Sequence, residues 1–188
     1  MTKQVYENVL DNGVIKRKGC KELVDWLDQK KFFDMPATLD SYHTENGGLA
    51  EHAAEVHTRL VLEFANELTL HGIDKLPPKM EESIAIIALF HDLHQIDTLQ
   101  EDNGTFKECA GQLHMPNEQK TLFILNNFMQ LTSVETEAIM FIENGNEECF
   151  KHNSLALLAH CAHKKAVYLD TAAYKSKSKA FSFGGNAK

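Results

Sequence analysis

Cysteine is scarce in this chain. Its 188 residues hold Cys20, Cys109, Cys149 and Cys161, far apart and with no CxxC pair. That spacing argues against a disulfide framework or a zinc ribbon and fits a chain kept reduced. Basic charge is also short, with 19 Lys and Arg against 27 Asp and Glu, a formal charge of -8 and a pI near 5.7. The basic residues form no long stripe, so duplex nucleic acid is not an expected partner. No apolar run approaches the roughly 18 residues of a membrane span. The opening MTKQVYENVLDNG lacks the apolar core of a signal peptide, which makes a cytoplasmic, membrane-free location the expectation. Runs of β-branched residues at period two are missing, as are internal repeats and linkers. With 43% hydrophobic residues, this composition predicts one all-α domain, a single helical bundle.

Helical signals carry the chain from Gly19 onward. Leu23, Trp26 and Leu27 alternate with charge between Gly19 and Lys31. From Gly48 to Leu70, the residues Leu49, Ala53, Val56, Leu60 and Phe64 recur at spacings of three and four, predicting a long amphipathic helix. Pro77-Pro78 punctuates, and a buried helix is expected from about Lys79 to Leu93. Asp102-Asn103-Gly104 marks a turn within a polar stretch, Thr98 to Pro116. Helical pattern returns from Asn117 to Met129. Thr132 and Glu135 then form a capping-box pair ahead of a helix stopping at Asn144-Gly145. Asn153 reads as the N-cap of a last helix reaching about Tyr174. The expected organisation is an N-terminal extension (1–18), the bundle (19–175) and a flexible Ser-, Lys- and Gly-rich tail (176–188).

One detail asks for chemistry. Residues Ile84 to Phe90 are apolar on every side, as in a buried helix, and His91-Asp92 follows at once. A buried carboxylate without a partner is among the most costly groups a core can hold. His91 continues the stripe of Ile84 and Ile87. His52 lies beside Ala53 on the apolar side of its helix, and His160, His163, Val167 and Asp170 share one face of the last helix. Taken singly, each has a structural explanation: a hydrogen-bonded core histidine, or an acid capping a helix or pairing with a buried lysine. Taken together, the imidazoles and the carboxylate fit one divalent cation, and bundles build such sites from facing helices.

The adjacent His91-Asp92 at the end of an apolar helix resembles the signature of the HD superfamily of metal-dependent phosphohydrolases. The stretch FFDMPATLDSYHTENGGLAEH, Phe32 to His52, is similar to one branch of it. That branch includes small hydrolases of bacteria and phages and the HD domains of certain 3′-to-5′ exoribonucleases. LALLAHCAH, Leu155 to His163, looks like the segment supplying the last ligand, so the resemblance spans about Phe32 to Tyr174. It implies an HD-domain bundle and, residue by residue, metal ligation by His52, His91 and Asp92. The family's fourth ligand is an Asp; here His163 stands in its place, with Asp170 two turns further along as the alternative.

Other departures follow. Gln95 occupies a position where relatives carry Lys or Glu. Asn117 and Ile142 occupy the positions of histidines that build a second metal centre in some members. The resemblance therefore implies a single ion (Mn, Co, Ni, Fe, Zn or Mg) and a nucleotide or other phosphorylated small molecule as partner. Within that scheme Asp92 both ligates and orients water, and His94 takes part in proton transfer. His43 and Gln95 contact substrate, with His43 at the pocket mouth. Gly47 and Gly48 either admit substrate to the backbone or form a simple turn. The competing expectation is a degenerate HD protein that binds a nucleotide or a protein partner without turnover. Oligomeric state stays open, a homodimer included.

Overall fold

A computed structural model describes residues 2–183. Its centre is α3 (Gly48–Leu70), flanked by α4 (Pro78–Phe90) and by the first half of α9 (Ser154–Phe183). α3 spans the segment its periodicity predicts and turns Leu49, Ala53, Val56, Leu60 and Phe64 inward. α4 starts on Pro78, whose fixed φ suits a first helical turn, and buries every residue from Ile84 to Phe90. α6 (Asn117–Asn126) and α7 (Ser133–Phe141) close the far side of the bundle. α7 begins with the predicted box: Glu135 N–H donates to Thr132 Oγ1, and Thr132 N–H donates to Glu135 Oε2 at 2.8 Å. Asn153 caps α9 by accepting from Ala156 N–H at 3.0 Å. The short α8 (Glu147–Phe150) links α7 to α9.

Three expectations change. The N-terminal stretch is no mere extension of the bundle. α1 (Thr2–Asp11) buries Tyr6 and Val9 in the same core as α2 (Cys20–Gln29), the single-turn segment Phe32–Asp34 and α4. The Tyr6 hydroxyl donates to Leu89 O at 2.8 Å, and its ring meets Phe33 edge-on at 5.1 Å. Arg17 follows, donating to Glu135 at 2.5 Å and pairing with Glu82 at 3.3 Å. The physical reason is the stripe Val5, Tyr6, Val9, too short to stand alone and stable only against tertiary neighbours.

The bundle is also not purely helical. A four-residue α5 (Gln95–Thr98) leads into β1 (Leu99–Asp102) and β2 (Thr105–Glu108), an antiparallel hairpin pairing Leu99 with Glu108. The predicted turn is its tip, with Asn103 at φ 52° and Gly104 at φ 81°. Positive φ at both central residues matches the twist of the flanking strands, which is why Asn-Gly closes hairpins. Finally, α9 passes Tyr174 and stays helical to Phe183, taking in most of the expected tail; residues 184–188 lie outside the described residues. No described helix is long and apolar enough to cross a membrane.

Candidate metal centre

α4 ends at Phe90, and residues 91–94 turn inside the core. Thr121 of α6 clamps this turn: its hydroxyl donates to His91 O at 2.9 Å and accepts from His94 N–H at 3.1 Å. His91 Nδ1 lies 2.9 Å from Ala88 O. A carbonyl only accepts, so Nδ1 carries the proton and Nε2 presents its lone pair. That Nε2 points into the bundle beside Asp92.

His52 of α3 and His163 of α9 complete the ring of imidazoles. Centroid separations are 5.7 Å (His52–His91), 5.5 Å (His52–His163) and 5.2 Å (His91–His163), an almost equilateral triangle. One ligating nitrogen from each lies within 4.8 Å of the others. Asp92 Oδ2 sits 3.1 Å from His91 Nε2 and 4.0 Å from His52 Nε2. No Lys or Arg among the described residues pairs with Asp92; the partners of its carboxylate are imidazole nitrogens.

Whether these residues suit a cation is tested by what they leave unsatisfied. His52 Nε2, His91 Nε2 and His163 Nδ1 are buried and make no hydrogen bond; the 3.1 Å approach of His91 to Asp92 is close but misaligned for one. An orphaned buried polar group costs about 1–3 kcal/mol, and several in one spot would be a poor way to build a core. A cation with octahedral bonds of about 2.1 Å sets adjacent ligands about 3 Å apart and opposed ones about 4 Å apart. The observed 3.1 and 4.0 Å separations match that spacing. The donor set of imidazole and carboxylate suits a divalent transition metal.

Electrostatics prepare His163 and Asp92 for the same state, while His91 is shifted toward its protonated form, whose proton a cation would displace. Burial and the neighbouring His91 lower His163 to about 3, so its ring is neutral and its lone pair is free. Burial would push the Asp92 carboxyl up, but His91, His94 and His52 outweigh it and hold Asp92 below the usual carboxylate range. Burial would lower His91, yet Asp92 overrides it and raises the imidazole.

The remaining candidates take distinct places. His94 is 4% exposed, with Nδ1 3.9 Å from Asp92 Oδ1, and burial lowers its pKa. His43, held at φ 46°, lies nearer solvent with Nε2 3.3 Å from Asp170 Oδ2 and Nδ1 3.1 Å from Glu45. Gln95 is turned aside, its amide donating to Ala37 O at 3.3 Å. His160 also leaves the cluster: Nδ1 donates to Ile142 O at 2.9 Å. Gly48 meets its own chain, since a Cβ there would fall 2.2 Å from His43 O; this close approach closes the loop carrying His43.

One residue of the site takes a place the sequence reading did not give it, and another escaped that reading. Asp170, considered there only as a substitute ligand, instead sits 3.4 Å from His52 Nδ1, on the ring edge away from the cluster. Glu143 ends the apolar run of α7 as Asp92 ends that of α4, and this parallel was its one signal. Burial, reinforced by the charge of Asp92, raises Glu143 to about 7. None of the family models, curated proteins or solved structures compared with the chain matches it.

Proposed function

We propose that this chain is a metal-dependent phosphohydrolase of the HD type, acting on a nucleotide or a short oligonucleotide phosphoester. The observation that carries the reading is the convergence of three orphaned imidazole nitrogens from segments far apart in the chain, with Asp92 against two of them. The His91-Asp92 signature and the sequence from Phe32 to His52 support it.

His52, His91, Asp92 and His163 would hold the cation. A divalent ion so held supplies Lewis acidity toward a phosphoryl oxygen and lowers the pKa of water bound to it. The chain's own contributions are positional. Asp92, fixed by the Thr121 clamp on its turn, orients a water through its carboxylate. His94, which burial keeps neutral, stands next to Asp92 as the proton acceptor. His43 and Asp170 occupy the side of the cluster nearer solvent, where a substrate enters, and His43 serves there as phosphate contact or as acid to the leaving oxygen. The net charge of -8 makes long RNA the least suitable substrate.

A second reading, binding without turnover, is favoured by one observation. Cations suited to phosphate are committed elsewhere: Gln95 replaces the usual Lys or Glu and is bonded to Ala37, while buried Lys120 pairs with Asp97 at 2.9 Å. Incubation with a panel of nucleotides plus manganese, cobalt, nickel or magnesium separates the two. Release of phosphate that disappears in Asp92→Asn supports catalysis. No release under any metal, with a nucleotide still raising the melting temperature, supports binding alone. Removing metal with a chelator is expected to lower stability by about 2.7 kcal/mol relative to protein held at a hundredfold excess over Kd. This difference should vanish in Asp92→Asn.

A further inference from the structure

Beside the ring of imidazoles stands a phenol that the proposed mechanism does not use. Tyr42 precedes His43 on the loop between Asp34 and α3, and its ring lies 5.3 Å from that of His52, tilted by 54°. The side chain is half-buried and packed against the core, yet among the described residues its hydroxyl makes no hydrogen bond. We propose that the Tyr42 hydroxyl is a substrate contact, donating a hydrogen bond to a non-bridging phosphoryl oxygen of a substrate held at the imidazole cluster. The inference rests on the phosphohydrolase reading above and deepens it by naming a donor to the reacting phosphate.

The loop gives this phenol little freedom. Thr38 Oγ1 donates to Tyr42 O at 2.6 Å and accepts from Tyr42 N–H at 2.9 Å. One residue on, His43 O accepts from Ala37 N–H at 2.8 Å, and Gly48 of α3 packs closely on that same carbonyl. The backbone is therefore tied on both sides of the Tyr42 Cα, and the ring rests on a fixed support. A donor held in place before its ligand arrives loses less conformational freedom on binding.

Charge explains why a neutral donor is useful at this point. Burial, and after it the charges of Asp92, Glu143 and Asp170, raise the Tyr42 pKa. The phenol thus stands in the field of three carboxylates and bonds to none of them. Those acids repel an anionic phosphate, so a group that offers a proton without adding negative charge eases its approach. His43 is engaged by Glu45 and Asp170, Gln95 by Ala37 O, and Lys120 by Asp97. Tyr42 keeps its proton unassigned, and a phenol is protonated across the neutral range even at its ordinary pKa.

The test titrates the full chain with orthophosphate in a calorimeter at fixed free Mn(II), with metal content and melting temperature read in parallel. The wild-type chain is expected to bind orthophosphate only when Mn(II) is present. Tyr42→Phe, which keeps the ring over His52 and removes one oxygen, should bind it roughly 10–100-fold more weakly, the worth of a hydrogen bond to a charged group. Its Mn(II) content and melting temperature should not change. Orthophosphate held as tightly as by wild type overturns the contact and leaves the phosphohydrolase reading intact. Loss of Mn(II) from Tyr42→Phe overturns it too, since the phenol would then be supporting His52. A wild-type chain that binds no orthophosphate with Mn(II) overturns the phosphohydrolase reading, and the contact falls with it. Fluorotyrosine incorporated into the wild-type chain gives a readout that needs no variant. One of its four tyrosine signals should shift in fluorine NMR when orthophosphate is added, and four unmoved signals sink the proposal.

Discussion

Asp170 Oδ2 lies 3.4 Å from His52 Nδ1 and 3.3 Å from His43 Nε2, so one carboxylate joins a buried imidazole to one at the solvent side. A carboxylate at Nδ1 fixes the proton there, aims Nε2 at Asp92 and makes that nitrogen a better donor. In the proposed centre Asp170 would orient the His52 ring from the edge away from the cluster.

The Asp170→Asn variant is expected to keep its fold and lose metal affinity by roughly 10–100-fold, the usual effect of removing such a partner. Competition against a chromogenic chelator measures this, and circular dichroism verifies folding. Unchanged affinity would leave the carboxylate with no orienting role. Loss as complete as in His52→Ala would make it a direct ligand.

Glu135 ties the N-terminal segment to the bundle and sets an acid limit. Burial would raise its carboxyl, but hydrogen bonds from Arg17, Thr132 N–H and Ser83 outweigh it and hold the group below 4.5. A carboxyl depressed on folding adds stability above its unfolded pKa, and that stability is lost as pH falls through the folded value. Glu135→Gln should therefore cost about 3 kcal/mol near neutrality, because Arg17 loses its buried partner. The difference should shrink below about pH 4 as the wild-type acid protonates. Urea unfolding at several pH values gives the comparison, and a gap constant down to pH 2 would rule this account out.

Gly48 is expected to resist replacement for a spatial reason. A methyl group there would meet His43 O at 2.2 Å and His43 Cβ at 2.9 Å, so the loop holding His43 must move. Gly48→Ala should destabilise by about 1–3 kcal/mol, the range for overpacking a filled site. If the phosphohydrolase reading holds, KM should rise more than kcat falls. Thermal unfolding and steady-state kinetics on the same preparation separate the effects; a variant as stable as wild type would show that the loop yields freely.

Much of this molecule was legible locally. The span of α3 follows from apolar residues three and four apart, and the burial of α4 from residues 84–90 being apolar all round. The start of α7 follows from Thr132 and Glu135, and the hairpin tip from Asn103-Gly104. Each signal acts within about one helical turn or one tight turn, where chain geometry leaves few choices. His52, His91, Asp92 and His163 were also nameable beforehand, from apolar faces and from a resembling motif.

Tertiary structure alone decided the rest. Tyr6 meets Leu89 across 83 residues, and His52 meets Asp170 across 118, too far apart for any periodicity to link them. The three imidazole nitrogens left without partners, and Glu143 brought beside Asp92, exist only once α3, α4, α7 and α9 are packed. Sequence selected which groups face inward, because burial follows the hydrophobic period. Packing selected which of them meet, because only a closed core removes water and leaves their lone pairs aimed at one point.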